Sequence, residues 1–413
     1  MLRLAKKIVI VATLDTKGQE VEFVLELIEK RGHTPVTVDC GILGEPPFKP
    51  FVSREEVARA AGTAIEEILA TRDKNHPIRT MARGAALVAS QLYRDGQLDG
   101  IISMGGIQGT VIGTTVMHAL PFGVPKVMIS AVANGQTTFG PFVGIRDVTI
   151  LHSVADILGL NAVTRRVLAE GVGAIVGMVE MDYGITVSAK PTVALTSAGV
   201  TTPCANRARE LLEGLGYEVV AFHCNGIGAK AMEELADEGK IHGIFDLSPH
   251  DISDYLFGGI MPADPGRMKT TCRRGVPQVI APGCADIILY GPVETAPIEM
   301  LMRKYVIHNP IHTHVKANYG EMLAVGRFIG TRLRDHQGSA LVLVPARGFS
   351  QRNVAGGPLF EPESDRGFLE GVKQALEGIS SGRVRAEALD LHINDPAFAE
   401  AAVRELHAMI QEG

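Results

Sequence analysis

Residues 7–18 read KIVIVATLDTKG. Residues 7–13 are a continuous β-branched run, the pattern of a strand covered on both faces. The run ends in Asp15-Thr16-Lys17-Gly18, and residues 20–31 then carry Val21, Val24, Leu25 and Ile28 at helical spacing. Gly32 closes that helix, and residues 34–38, TPVTV, open a second strand. Strand, helix and strand in this order make a parallel β-α-β unit with a right-handed crossover. The fold class expected from it is α/β, with doubly wound, Rossmann-like sheets.

Working outward, the same alternation continues. Residues 41–50 (GILGEPPFKP) read as a loop, and Ser53 with Glu56 forms a capping box for a helix running to about Arg72. A helix follows over 77–95, then a strand over 99–104 (DGIISM), a helix to about Leu120 and a strand over 125–130 (PKVMIS). The stretch 150–181 reads as helical. Its small residues Gly171, Gly173, Ala174 and Gly177 would let another helix or a second subunit approach closely. The pattern restarts near Ala189-Lys190-Pro191 with a strand over 192–196, a helix over 205–215 and a strand over 218–223. Further strands read at 243–247, 278–281, 340–344 and near 386–391, with a last helix from about Asp395. The division expected is an N-terminal α/β domain over 1–188 and a C-terminal α/β domain over 189–413. Each would carry a mostly parallel sheet, with a ligand cleft between the two.

Composition narrows the partners. The chain has 413 residues, 46% hydrophobic and 21% charged, with a formal net charge of −6. That balance supplies ample core material and disfavours nucleic acid or an anionic membrane as the main partner. No tryptophan is present and aromatics are 5%, which leaves no stacking platform for single strands. No uninterrupted apolar stretch reaches about 20 residues, so no membrane span is expected. Five scattered cysteines, with no C-x-x-C, argue for a reducing compartment and a cytoplasmic protein.

The residues that carry chemistry lie where strands end. Gly105-Gly106-Ile107-Gln108-Gly109-Thr110 follows a strand and opens a helix. Bare backbone there admits a phosphate, the helix N-terminus offers unpaired N–H groups, and Thr110 adds a hydroxyl. A tight turn with no ligand is the alternative. After the first strand, Lys17 would neutralise a phosphate, Thr16 would hydrogen-bond one and Asp15 would hold Mg²⁺ or cap the helix. Ser130 opens a third such loop, 130–135. In the second half, Thr201 and Thr202 precede Pro203 at a helix start, and Arg347 and Ser350 follow a strand. These four would bind an anionic substrate. His308, His312 and His314 fit no zinc spacing, and His223, His242, His250 and His392 are scattered.

Taken together the chain resembles the Tm-1-like ATP-binding family (UPF0261), named for a plant antiviral resistance protein. The matching residues are Val11 to Gly18, Gly105 to Thr110, Gly123-Val124-Pro125-Lys126, Val200 to Cys204, His308-Asn309-Pro310 and Ile393-Asn394-Asp395-Pro396. The resemblance implies ATP and Mg²⁺ as cofactors in the N-terminal domain, a small-molecule ligand and a homodimer. The family's glycine loop reads Gly-Gly-Ser-Gly-Gly-Thr, and here Ile107 and Gln108 stand in its middle. The function expected is an enzyme using ATP on a small anionic substrate. Two other readings stay open: a non-catalytic nucleotide-binding interaction module, and an ATP-independent lyase or isomerase acting on a sugar acid.

Overall fold

The computed structural model describes residues 5–71, 76–133, 140–181, 189–379 and 382–412. The chain divides into two compact units, Met1–Thr186 and Val187–Gly413. Both are α/β, each built on a parallel sheet.

The first unit runs β1 (Lys7–Ala12), α1 (Leu14–Lys30), β2 (Thr34–Asp39), α2 (Arg54–Ala60), α3 (Ile65–Ala70), α4 (His76–Arg94), β3 (Gly100–Gly105), α5 (Ile107–His118), β4 (Lys126–Ser130), α6 (Gly140–Val143), β5 (Thr149–His152) and α7 (Ala162–Glu180). Its sheet has the order β2-β1-β3-β4-β5, parallel throughout. Side chains alternate across β1. Val9 and Val11 join Val36, Met81 and Val116 on one face, while Ile8 and Ile10 join Val21, Ile28 and Val172 on the other. Each such side chain contributes about 1.5–3 kcal/mol on burial. The strand is uninterruptedly apolar because helices cover both faces.

Two helices depart from the sequence pattern. The helix expected from Ser53 begins with its capping box intact, Glu56 N–H donating to Ser53 Oγ at 3.3 Å and Ser53 N–H to Glu56 Oε2 at 2.8 Å. It breaks at Gly62, whose φ of +82° is left-handed, so α3 is a separate helix; residues 72–75 lie outside those described. The stretch 150–181 is not helical throughout. Residues Thr149–His152 form the edge strand β5, and α7 starts only where the Asn161 side chain accepts from Val163 and Thr164 N–H. A short edge strand leaves little periodicity to separate it from a helix.

The second unit runs β6 (Thr192–Ser197), a 3-10 turn (Gly199–Thr201), α8 (Thr202–Gly214), β7 (Glu218–His223), α9 (Ile227–Asp237), β8 (Gly243–Asp246), α10 (His250–Phe257), α11 (Lys269–Arg274), β9 (Gln278–Ile280), β10 (Ile287–Tyr290), α12 (Ile298–Leu301), β11 (Tyr305–Asn309), β12 (His312–Lys316), α13 (Tyr319–Leu333), β13 (Ala340–Pro345), α14 (Pro362–Leu376), β14 (Val384–Leu389) and α15 (Pro396–Glu412). Six strands form a parallel sheet in the order β14-β13-β9-β8-β6-β7. A separate antiparallel sheet, β10-β12-β11, was absent from the sequence reading. Among the described residues no helix is long and apolar enough to cross a membrane.

Helices α13 and α14 meet backbone to backbone. A Cβ at Gly326 would stand 2.0 Å from Phe368 O, and one at Gly371 2.1 Å from Leu323 O. Only glycine permits that approach. Gly371→Ala is therefore expected to destabilise the fold by about 1–3 kcal/mol, read as a lower urea midpoint. Gly214→Ala, where a Cβ meets nothing within 4 Å, is expected to leave the midpoint unchanged or raise it.

The second unit buries two cations. The guanidinium of Arg267 bonds Asp246, Asp251 (3.2 Å) and Glu233 (3.3 Å). Lys316 Nζ bonds Asp286 (2.8 Å) and Asp365, and Asn353 Nδ2 bridges the same two carboxylates at 2.9 and 2.8 Å. Burial and the neighbouring Asp286 push the Asp365 carboxyl up to about 6. A raised carboxyl pKa contributes stability that is lost as pH rises through the folded value. Lys316→Met removes the cation and leaves two buried carboxylates, with an expected loss of about 3–5 kcal/mol. The loss should be larger at about pH 8 than at pH 5, where protonation relieves the pair. Urea denaturation at the two pH values checks this.

Candidate functional site

In the first unit the strand order reverses beside β1, and ligands of open parallel sheets collect outside such strand ends. Ser103 pairs with Val11 in register, so the loops after β1 and β3 leave the sheet side by side. A cleft of about 480 Å³ opens at the first of them, lined by Asp15, Thr16, Gln19, Glu45 and Leu158 among others.

The side chains expected to meet a phosphate there have taken other partners. Asp15 Oδ2 accepts from Leu43 N–H (2.6 Å) and Gly44 N–H (3.3 Å), which ties the following loop to the first turn of α1. Thr16 Oγ1 lies 2.8 Å from Thr13 Oγ1. Lys17 leaves helical geometry (φ −125°, ψ 18°), and its ammonium donates to Ile157 O rather than standing free. Gly18 is required by packing, since a Cβ there would lie 2.2 Å from Pro47 Cγ.

The glycine turn divides into two functions. A Cβ at Gly105 would stand 2.9 Å from Gly109 Cα, and one at Gly109 3.0 Å from Met104 O. These two glycines seat α5 on the end of β3. Thr110 and Ser130, both fully buried, share a hydroxyl bond of 2.8 Å. Ser130 Oγ also accepts from Val132 and Ala133 N–H, so this pair braces the ends of β3 and β4. Asn134 and Gly135 of that loop lie outside the described residues. What remains open is Gly106, where a Cβ meets nothing within 4 Å, and the exposed Ile107 and Gln108. The first N–H groups of α5 have no intrahelical acceptor.

Sequence reading missed Asp39, at the end of β2. Its Oδ1 accepts from Leu14 N–H (3.0 Å) and Gly41 N–H (2.8 Å). Asp39 Oδ2 and Asp15 Oδ1 are both buried without a partner. Burial, with Asp15 nearby, raises the Asp39 carboxyl above the usual range against those backbone bonds. An acid closing an apolar run at a strand end was the available signal.

In the second unit the four residues expected to bind substrate are scattered in role. Thr201, fully buried, pairs with Ser248 Oγ at 2.9 Å and locks the turn after β6. Thr202 is exposed, with its hydroxyl 3.4 Å from Ala198 O. Arg347 makes a two-pronged pair with Asp390 (2.8 and 2.7 Å), both side chains largely in solvent. Ser350 is buried, and its Oγ accepts from Arg352 and Asn353 N–H.

The structure instead gathers histidines. His223, His250, His308, His312 and His314 surround a cavity of about 140 Å³ at the ends of β6 and β7. Ala198 and Gly199 form one wall; Ile287, Leu289 and Met261 form an apolar one. His308 and His314 stack, with ring centroids 4.6 Å apart and planes at 20°. Arg352 Nη2 stands 3.4 Å from His308 Nδ1. Burial first, then the neighbouring imidazoles and Arg352, push the His314 imidazole down to about 3. Among the described residues no group of three or more His, Cys, Asp or Glu side chains is placed to hold a metal. His242 and His392 take no part: His242 Nδ1 accepts from Thr192 N–H, and His392 Nε2 contacts Ser350 O and Asn353 O.

Comparison with known proteins agrees across the chain. The N-terminal domain of "Uncharacterised protein family (UPF0261)" matches residues 6–184 and its C-terminal domain residues 190–410. A UPF0261 protein of Clostridium tetani is 35% identical over 98% of this chain and 100% of its own length. A second, from Rhizobium meliloti, is 37% identical over 96% of this chain and 98% of its own. The tomato ToMV resistance protein Tm-1(GCR237) is 31% identical over 95% of this chain and 54% of its own length. With both domains matched in order and relatives aligned nearly end to end, the chain belongs to the UPF0261 family.

Proposed function

We propose that the chain is an enzyme of small-molecule metabolism whose N-terminal unit binds ATP. The observation that carries the reading is the reversal of strand order beside β1. The loops after β1 and β3 leave the sheet side by side, one carrying the Asp15–Thr16 cleft and the other the Gly106–Gln108 turn. Phosphate oxygens would lie on the N–H groups of that turn, where the helix N-terminus favours negative charge. Lys17, held by Ile157 O, would act through loop position rather than direct charge. The unpartnered oxygens of Asp15 and Asp39 fit Mg²⁺, which binds through one or two carboxylates together with substrate phosphates. When bound, the ion would neutralise phosphate charge.

A second reading is a nucleotide-binding interaction module, supported by the tomato relative named as a resistance protein. ATP hydrolysis, or transfer to a small acceptor, separates the two. Five free, buried thiols support a reducing compartment such as the cytoplasm. Gly173 and Gly177 on α7, where a Cβ meets nothing within 4 Å, support a homodimer packed through that helix.

The test is calorimetry of ATP with Mg²⁺ against wild type and Gly106→Val. The added side chain enters open space, so the thermal midpoint should hold. ATP affinity should fall about tenfold or more as the backbone donors are covered. Equal affinities with an unchanged midpoint would refute the glycine-turn site.

A further inference from the structure

Among the described residues, the cavity in the second unit is lined by five imidazoles and by no carboxylate. The acids around it pair with cations or backbone donors, with Asp251 Oδ1 and Asp286 Oδ1 buried without a partner. Asp246 and Asp251 are paired with Arg267, Asp286 and Asp365 with Lys316, and Asp254 lies behind His250, its oxygens accepting from Leu289 and Met261 N–H. Arg352 stands against His308, and Cys224 and Cys284 are neutral thiols whose pKa burial raises. The polar side chains of the wall thus donate hydrogen bonds or accept protons.

Two ring states follow from the contacts. Arg352 can only donate, so His308 accepts at Nδ1 and carries its proton on Nε2. Ile287 O can only accept, so His250 donates from Nδ1, and its Nε2 lies 3.5 Å from Asp254. His314 Nδ1 is buried with no partner. These rings are poorly arranged for a metal. Ligating imidazoles aim nitrogens at one point about 2.0–2.1 Å away, whereas His308 and His314 lie face to face. The cavity also sits where a parallel sheet collects ligands, outside the ends of β6 and β7.

We propose that this cavity binds the oxyanion group, carboxylate or phosphate, of a small molecule, with His308, His312, His314 and Arg352 as the recognising side chains and with proton uptake on binding. A volume of about 140 Å³ admits a molecule of a few heavy atoms beyond the anionic group. The apolar wall of Met261, Ile287 and Leu289 receives its carbon skeleton.

The proton linkage has a definite sign. Burial first, then the neighbouring imidazoles and Arg352, shift His223, His308 and His314 below the ordinary histidine range, which favours their neutral form. The groups that share the cavity are His250 from α10, His312 from β12, Cys224 and Cys284; Arg352 stands against His308, Asp254 against His250, and Lys316 lies two residues beyond His314 on β12. Lys316 is neutralised by Asp286 and Asp365. An anion draws the Arg352 guanidinium to itself, which frees His308 Nδ1, and it favours the charged form of the rings and raises their pKa. Protons are then taken up, and affinity falls as pH rises.

The experiment uses the full chain without ATP, so its outcome is independent of the N-terminal reading. Inorganic phosphate and malonate are titrated calorimetrically at about pH 6 and pH 8, in two buffers of different ionisation enthalpy, and imidazole Cε1–H resonances are followed by NMR. The expected result is binding of at least one probe, about tenfold or more tighter at the lower pH. Net proton uptake and shifts of His308 and His314 resonances should accompany it. His308→Gln and Arg352→Gln should each weaken that binding about tenfold or more. Phosphate alone binding identifies a phosphate ester, malonate alone a carboxylate. The wild-type NMR decides the matter if a variant fails to fold. The proposal is overturned if neither probe moves the imidazole resonances at pH 6. It is equally overturned if binding is indifferent to pH and to both substitutions, or if the cluster binds Zn²⁺ and no anion.

Discussion

A strand covered by helices on both faces has no side chain left to show to solvent. Every position of β3 is buried, and so is every position of β13. Chemistry is therefore pushed to the strand ends, where backbone donors emerge and loops begin. In the first unit that end carries the Asp15 cleft and the glycine turn. In the second it carries the histidine cavity. The same constraint explains the glycines, because helices lying directly on strand ends and on one another leave no room for Cβ atoms at Gly105, Gly326 and Gly371.

Charge in the interior is handled by matching rather than exclusion. Arg267 meets three carboxylates and Lys316 meets two. Such clusters are seldom large sources of stability, but removing one partner leaves an uncompensated charge. Here they also position the site. Lys316 closes the strand that carries His312 and His314, and Asn353, bound to the same carboxylates, follows Arg352 directly. Neutralising these acids leaves the histidine cavity with donors and protonatable rings as its polar side chains.

The two strand-end sites differ in kind. The first offers backbone N–H groups and two acids with unpartnered oxygens, on which the proposed phosphate and cation would rest. The second offers imidazoles whose charged form is disfavoured by burial and by one another, the setting of the proposed anion site. UPF0261 relatives align over both domains.

The alternation of β-branched runs with amphipathic helices was enough to read the α/β class and most strands, because burial on both faces imposes a local, periodic signature. The capping box at Ser53 and Glu56 and the helix start at Pro203 were legible for the same local reason. The antiparallel sheet β10-β12-β11 was not, since its pairing joins segments with no shared period. Site roles were less legible for a related cause. Whether Lys17 or Arg347 faces a ligand depends on acceptors far along the chain, and Ile157 O and Asp390 hold them. His223 and His250 lie far in sequence from His308, His312 and His314, and only the folding of four separate segments around one cavity made them neighbours. Local chemistry fixes which residues are available; tertiary contact decides which of them remain uncommitted.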